Sequence, residues 1–290
     1  MAASAEASVA ALSGARIWSI LWQRKAVLIG VVILATIALL AIFAPWIAPF
    51  EPGRMRISQR LRPPSAQYWF GTDEFGRDIF TRVIYGGQIS LLAGALTVIF
   101  ASVCGTVLGV VAGFFSKLDA AISRVIDAMM SFPDILLAIA LVAVLSPSLT
   151  NVVIALGVVY TPRVARVVRA ATLVIRELPF VEAARALGVP TWRIILRHVL
   201  RNLTSPIIVQ GTFIFAYAIL AEAGLSFLGT GVSPEIPTWG TIIAAGQQYA
   251  RQADWIMIFP GLAIVLSVLS LQLVGDTLRD ILDPKLRKDL

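Results

Sequence analysis

The chain has 290 residues, of which 58% are hydrophobic and 14% charged, and its mean hydropathy is +0.84. A soluble domain carries roughly a quarter of its residues as charges, so this composition excludes one and indicates an integral membrane protein. The net charge of +7 would suggest nucleic-acid binding in a soluble chain, but the basic residues cluster beside apolar runs, as in cytoplasmic loops of membrane proteins.

After a segment at 1–25 comes an uncharged run at 26–44, just long enough at 1.5 Å per residue to cross a hydrocarbon core of about 30 Å. It exceeds a usual signal-peptide core, and Pro45-Trp46 reads as an interfacial anchor, so it is taken as an uncleaved first span. A polar segment at 45–88 follows, in which Gly71 to Asp78 lacks the Gly-Lys-Ser/Thr ending of a phosphate loop and reads as a helix-entry turn with paired charges. Span two is expected at 89–114, span three at 125–145 and span four at 152–171. Pro147 and Asn151 mark a tight reversal between the last two. Arg163, Arg166 and Arg169 recur every three residues on span four, which is read as leaving the bilayer and continuing into the cytosol. Spans five and six are expected at 203–222 and 255–276, with a tail at 277–290.

The chain is therefore expected to be all-α with six transmembrane helices and both termini on one side. An inside N-terminus places 17 Lys and Arg in the cytoplasm against 7 outside, the bias that the positive-inside rule favours. Glu222 and Asp276 fall at span ends, where acids are usually hydrated or paired with a neighbouring subunit, so a structural role is expected of both.

Along span two, Ala93, Thr97, Ala101, Gly105, Gly109 and Gly113 recur every four residues. That spacing puts small side chains on one face, where Gly105, Gly109 and Gly113 would let a second helix approach backbone to backbone. The loop at 175–202 is the other distinctive region. Leu178-Pro179 stops span four, Phe180 to Leu187 is short and amphipathic, Gly188 offers a C-terminal stop and Pro190 starts a new helix. Arg193, Arg197 and Arg201 then share a face. From the residues alone, this is either a two-helix knob that docks onto a soluble partner or a basic loop that fixes topology.

The words used in this loop resemble the Glu-Ala-Ala loop of ABC-importer permeases, which fits a groove of the ATPase subunit. That pattern reads Glu-Ala-Ala, three residues, Gly, nine residues, then Ile-x-Leu-Pro. Here Glu182-Ala183-Ala184 and Gly188 match, whereas His198 and Arg201 depart from the second half. Further segments resemble the second permease subunit of dipeptide, oligopeptide and nickel importers. They include Trp69-Phe70-Gly71-Thr72-Asp73, Gly76-Arg77-Asp78, the run from Glu222 to Gly229, Trp239-Gly240-Thr241, Phe259-Pro260-Gly261 and Leu282-Asp283-Pro284. The likeness covers roughly residues 20 to 288.

The resemblance implies a type I ABC-importer transmembrane domain at 86–276, in a bacterial inner membrane, with both termini cytoplasmic. It implies coupling to ATPases through Glu182, Ala183, Ala184 and Gly188, with Arg193 and Arg197 on the arm that follows. The implied partners are a second, similar permease subunit, two ATPase subunits and an external substrate-binding protein. No GxxxxGK[ST] motif occurs in the chain, so it is not expected to be an enzyme or to hold a cofactor, and ATP and Mg would sit on the ATPases. Peptides are the expected cargo, with nickel and glutathione as alternatives. A secondary transporter would need coupling-ion ligands near the bilayer midplane and often repeated halves; a membrane enzyme would need clustered His, Asp or Cys. Neither pattern is found in the sequence.

Overall fold

A computed structural model describes residues 25–282, and all its regular structure is helical. Helix α1 (Lys25–Ile42) is followed by the short α2 (Ala44–Ile47), which Pro45 enters at the first turn, where a missing N–H costs nothing. The segment up to residue 78 is irregular apart from one 3₁₀ turn at Ile57–Gln59. It closes on the bridge between Thr72 and Asp78. Asp78 then caps α3 (Ile79–Phe114), its carboxylate accepting from the Thr81 amide at 2.8 Å. With 36 residues α3 runs ~54 Å, well beyond the hydrocarbon core.

Where a single span at 125–145 is expected, the structure has two helices, α4 (Ser116–Met130) and α5 (Asp134–Leu145), bent by 93°. The reason is Pro133, which has no N–H to give and disfavours helical backbone at Phe132. Only the pair together is long enough to count as a sixth span beside five continuous ones.

The reversal into α6 (Leu149–Ile175) falls at Ser146 to Ser148. Ser146 takes a left-handed φ of 74°, and the Asn151 amide donates to the carbonyls of Leu145 (2.6 Å) and Ser146 (2.9 Å). Helix α7 (Pro179–Ala186) follows. The second arm of the 175–202 loop is not a separate short helix. Helix α8 (Thr191–Ile194) passes through a π turn at Ile195–Val199 into α9 (Leu200–Phe227), giving one helix of 37 residues. The stretch around 202 holds no breaker, and the wide turn absorbs the register change. Helix α10 (Trp239–Gly246) starts at a capping box formed by Thr238 and Thr241, and α11 (Trp255–Leu282) ends the described chain.

The most extensive contact is between α3 and α6. Ala93, Thr97, Ala101, Gly105, Gly109 and Gly113 are all buried. A Cβ added to Gly105, Gly109 or Gly113 would lie 2.5, 2.7 and 2.7 Å from the Cβ atoms of Val164, Val168 and Thr172 respectively. Helix α9 crosses both α3 and α11, while α1 lies on the outside against α11 and α3.

Candidate coupling site

The loop at 175–190 is built by two local devices. Pro179 occupies the first turn of α7 after an extended Leu178, so the chain turns sharply out of α6. At the other end the amide of Val189 donates to the carbonyl of Ala184 at 3.0 Å, and that of Gly188 to Arg185 at 2.9 Å, with Gly188 at φ +74°. These two nested bonds are a Schellman closure, which needs a left-handed residue at that point. Nothing lies within 4 Å of a Cβ built on Gly188, so glycine is required here by its backbone and not by crowding.

Periodicity sorts the short helix into two faces. Val181 and Ala184 are buried in the same core cluster as Ile175, Ile194 and Val199, which fixes α7 to the C-terminal end of α6 and the start of the long α8–α9 helix. Glu182, Ala183, Leu187 and Gly188 are exposed, as are Trp192, Arg193 and Arg197 on the arm beyond. Of the expected coupling residues, therefore, five face outward and Ala184 faces the core. Leu187 is 83% exposed at the tip of the turn. The loop thus presents an apolar tip with an acid before it and two arginines after it; among the described residues none of these three charges is in an ion pair with another.

Contacts tie this turn to the α3–α6 seam. The Arg176 guanidinium donates to the Gly113 carbonyl at 2.8 Å, and that of Arg185 lies 5.1 Å from the centre of the Phe114 ring. Above it, the three-residue recurrence of Arg163, Arg166 and Arg169 has an explanation beyond exit into the cytosol. Arg163 pairs with Asp134, Arg166 with Asp127 at 2.7 Å, and Arg169 with both carboxylate oxygens of Asp119 at 2.5 and 2.7 Å. The bent α4–α5 element is laced to α6 by this ladder. The acids recur every seven or eight residues, about two helical turns, and that spacing opposite a basic stripe was the available signal.

At the far end of α9, Glu222 departs from the expectation of a hydrated or intersubunit acid. It is fully buried, accepting from Ser226 at 2.9 Å and from Ser90 at 3.1 Å, and Ser90 also accepts from the Trp239 amide at 3.2 Å. This node joins α9, α3 and α10. Asp276, by contrast, is exposed. In the turn before α3, Asp73 bridges Arg77 at 2.6 Å, matching the expected paired charges. Burial pushes the carboxyls of Glu74 and Asp78 in that turn above their usual range.

The helix set and its broken third span define an all-α membrane domain of the ABC-importer type I class. A chain of a solved structure, titled as inward-facing conformations of the MetNI methionine ABC transporter, has this fold at a TM-score of 0.57. The match covers 69% of this chain and 95% of that one at 22% identity. Residues 105–288 match the family model described as binding-protein-dependent transport system inner membrane component. Residues 14–64 match that of the N-terminal transmembrane domain of oligopeptide transport permease C. A Brucella suis biovar 1 (strain 1330) protein whose name describes a peptide transport system permease is 48% identical over 92% of this chain and 90% of its own. The dipeptide transport system permease protein DppC of Alkalihalophilus pseudofirmus is 45% identical over 91% and 88%. The chain belongs to the family of binding-protein-dependent transport system inner membrane components, and it is a permease subunit.

Proposed function

We propose that this permease forms half of a peptide translocation pathway, paired with a second, similar permease and driven by two cytoplasmic ATPase subunits that bind ATP and Mg. A substrate-binding protein delivers di- or oligopeptides from outside. The peptide-permease names of relatives at 45–48% identity support the cargo. Both termini lie in the cytoplasm, which places the 175–202 loop on the ATPase side.

The observation that carries the mechanism is the outward-facing turn closed at Gly188. Its apolar tip, Leu187, enters an ATPase groove, and Glu182, Arg193 and Arg197 meet charges on the rim. Ala183 lines the same exposed edge, while Ala184 anchors the turn inside. Because α7 is held to α6 and α3, closure of the ATPases displaces those helices with it, and the pathway swings between inward and outward openings as a rigid-body change.

The test is uptake of labelled peptide into proteoliposomes holding the four-subunit complex with its binding protein. ATP is expected to drive it and a proton uncoupler to leave it unchanged; uptake that needs a proton gradient and not ATP would sink the reading. In the same vesicles a cysteine at Ser233 should react with an impermeant thiol reagent on the external face and one at Thr191 should not. The reverse pattern would overturn the orientation.

A further inference from the structure

The Asp134–Arg163 pair is unlike the other two rungs of the ladder. Arg163 lies ~21 Å along α6 from Leu149 and ~18 Å from Ile175, close to the helix midpoint. Its two side chains are nevertheless 32% and 37% exposed. Half-open charges at that depth do not face hydrocarbon; such residues face a bundle interior or a water-filled cavity. The Arg163 guanidinium also lies 5.5 Å from the Tyr160 ring and 5.3 Å from that of Tyr217 on α9, and Tyr217 is 44% exposed.

One turn nearer the cytoplasm on each helix, Val167 and Phe213 line a cavity of about 360 Å³, room for about a dozen waters. Among the described residues its polar side chains are Ser205, Gln210 and Arg279, with no carboxylate among them. Among the described residues Arg279 has no ion-pair partner. The groove thus begins at an acid beside a base and ends at a base with no carboxylate among its described lining residues.

We propose that the α6–α9 groove, from Asp134 and Arg163 down to Arg279, is the passage for a zwitterionic peptide. The proposal rests on the peptide reading above and adds where the cargo runs. Asp134 receives the ammonium end. Arg163 bonds Asp134 through Nη2 alone, so its remaining donors are free for the carboxylate, which passes on to Arg279. Tyr217, exposed on α9, flanks this station with an apolar ring face that accepts varied side chains, and the buried Tyr160 backs the Arg163 guanidinium from within the core. A pair that is one-third exposed exchanges partners at little cost, because water already competes for both charges. The rungs Arg166–Asp127 and Arg169–Asp119 lie nearer the cytoplasmic end and hold α4 in place.

The experiment uses the complete complex, with Tyr217→Cys in a background where the chain's one cysteine is removed by Cys104→Ser. During turnover a charged, water-borne methanethiosulfonate should modify that cysteine, and saturating delivered peptide should slow the modification about tenfold. In a second measurement, Arg163→Gln should raise the KM for peptide uptake about tenfold, the loss of one charge-assisted contact. Arg166→Gln, with normal assembly, should leave the KM within twofold. Labelling unaffected by peptide, or equal KM changes in the two arginine variants, would overturn the passage while leaving the importer reading intact. Failure of the wild-type complex to take up delivered peptide would instead remove the peptide reading, and this inference with it.

Discussion

Gly109, in the seam between α3 and α6, and Gly188, in the turn after α7, are both positions where a side chain does harm, and the harm differs in kind. At Gly109 the backbone is ordinary helix and the space is missing: a Cβ would meet the Ala165 carbonyl oxygen at 2.6 Å and Val168 at 2.7 Å. At Gly188 the space is open and the backbone is unusual, with φ at +74°. The seam uses glycine to bring two helices together. The turn uses it to reverse the chain and leave Leu187 exposed at its tip. A packing defect is therefore expected to act on the whole assembled domain, and a turn defect on coupling alone.

The largest effect should come from the seam. Gly109→Leu puts a branched side chain against backbone that cannot yield, a cost of about 3 kcal/mol or more. Assembled complex recovered from membranes should fall severalfold, whereas Val107→Leu, at an exposed position two residues away on α3, should leave recovery unchanged. Equal recovery of the two variants would show that the seam does not hold the bundle.

A smaller energetic effect, but a total functional one, is expected at the turn. Gly188→Val forces a β-branched residue into left-handed backbone at a cost of about 2 kcal/mol, confined to the loop. Insertion and pairing with the second permease should survive while peptide uptake collapses and ATP hydrolysis no longer responds to cargo. Asparagine tolerates this backbone region, so Gly188→Asn should recover much of the uptake. Wild-type transport by the valine variant at equal expression would reduce the loop to a topogenic turn.

The mildest outcome sharpens the comparison further. Gly229 closes α9 at its C-terminal end by the same device, with φ +77°, the Thr230 amide bonded to Leu225, and open space around a built Cβ. Gly229→Ala should cost about 1 kcal/mol, visible as a modest drop in thermal stability, with ATP hydrolysis still responsive to cargo. Loss of that response would mean that left-handed strain as such, rather than its place in the 175–190 turn, explains the Gly188 phenotype.

Much of this was legible because it depends on neighbours along the chain. Apolar runs announce helices, the four-residue spacing from Ala93 to Gly113 announces a face, and Gly188 with Pro179 and Pro190 announces a reversal. These signals need only the helical period and the backbone limits of glycine and proline. Pro133 could have been read in the same way, and the 93° bend there was missed because hydropathy averages across a break. The continuity of α8 with α9 was hidden by the opposite error, since the basic residues of 193–201 resemble a loop although the helix simply runs on into water.

What the sequence by itself determined is the membrane class, the number of apolar segments and the chemistry of each turn, since all of these are set within a few residues of chain. Tertiary structure alone decided which charges meet. Asp134 finds Arg163 across 29 residues, Asp119 finds Arg169 across 50, and Ser90 finds Glu222 across 132. A charge held in low dielectric must find a partner or a water-lined face, but the pattern of residues states only that need; which partner answers it follows from how the helices cross.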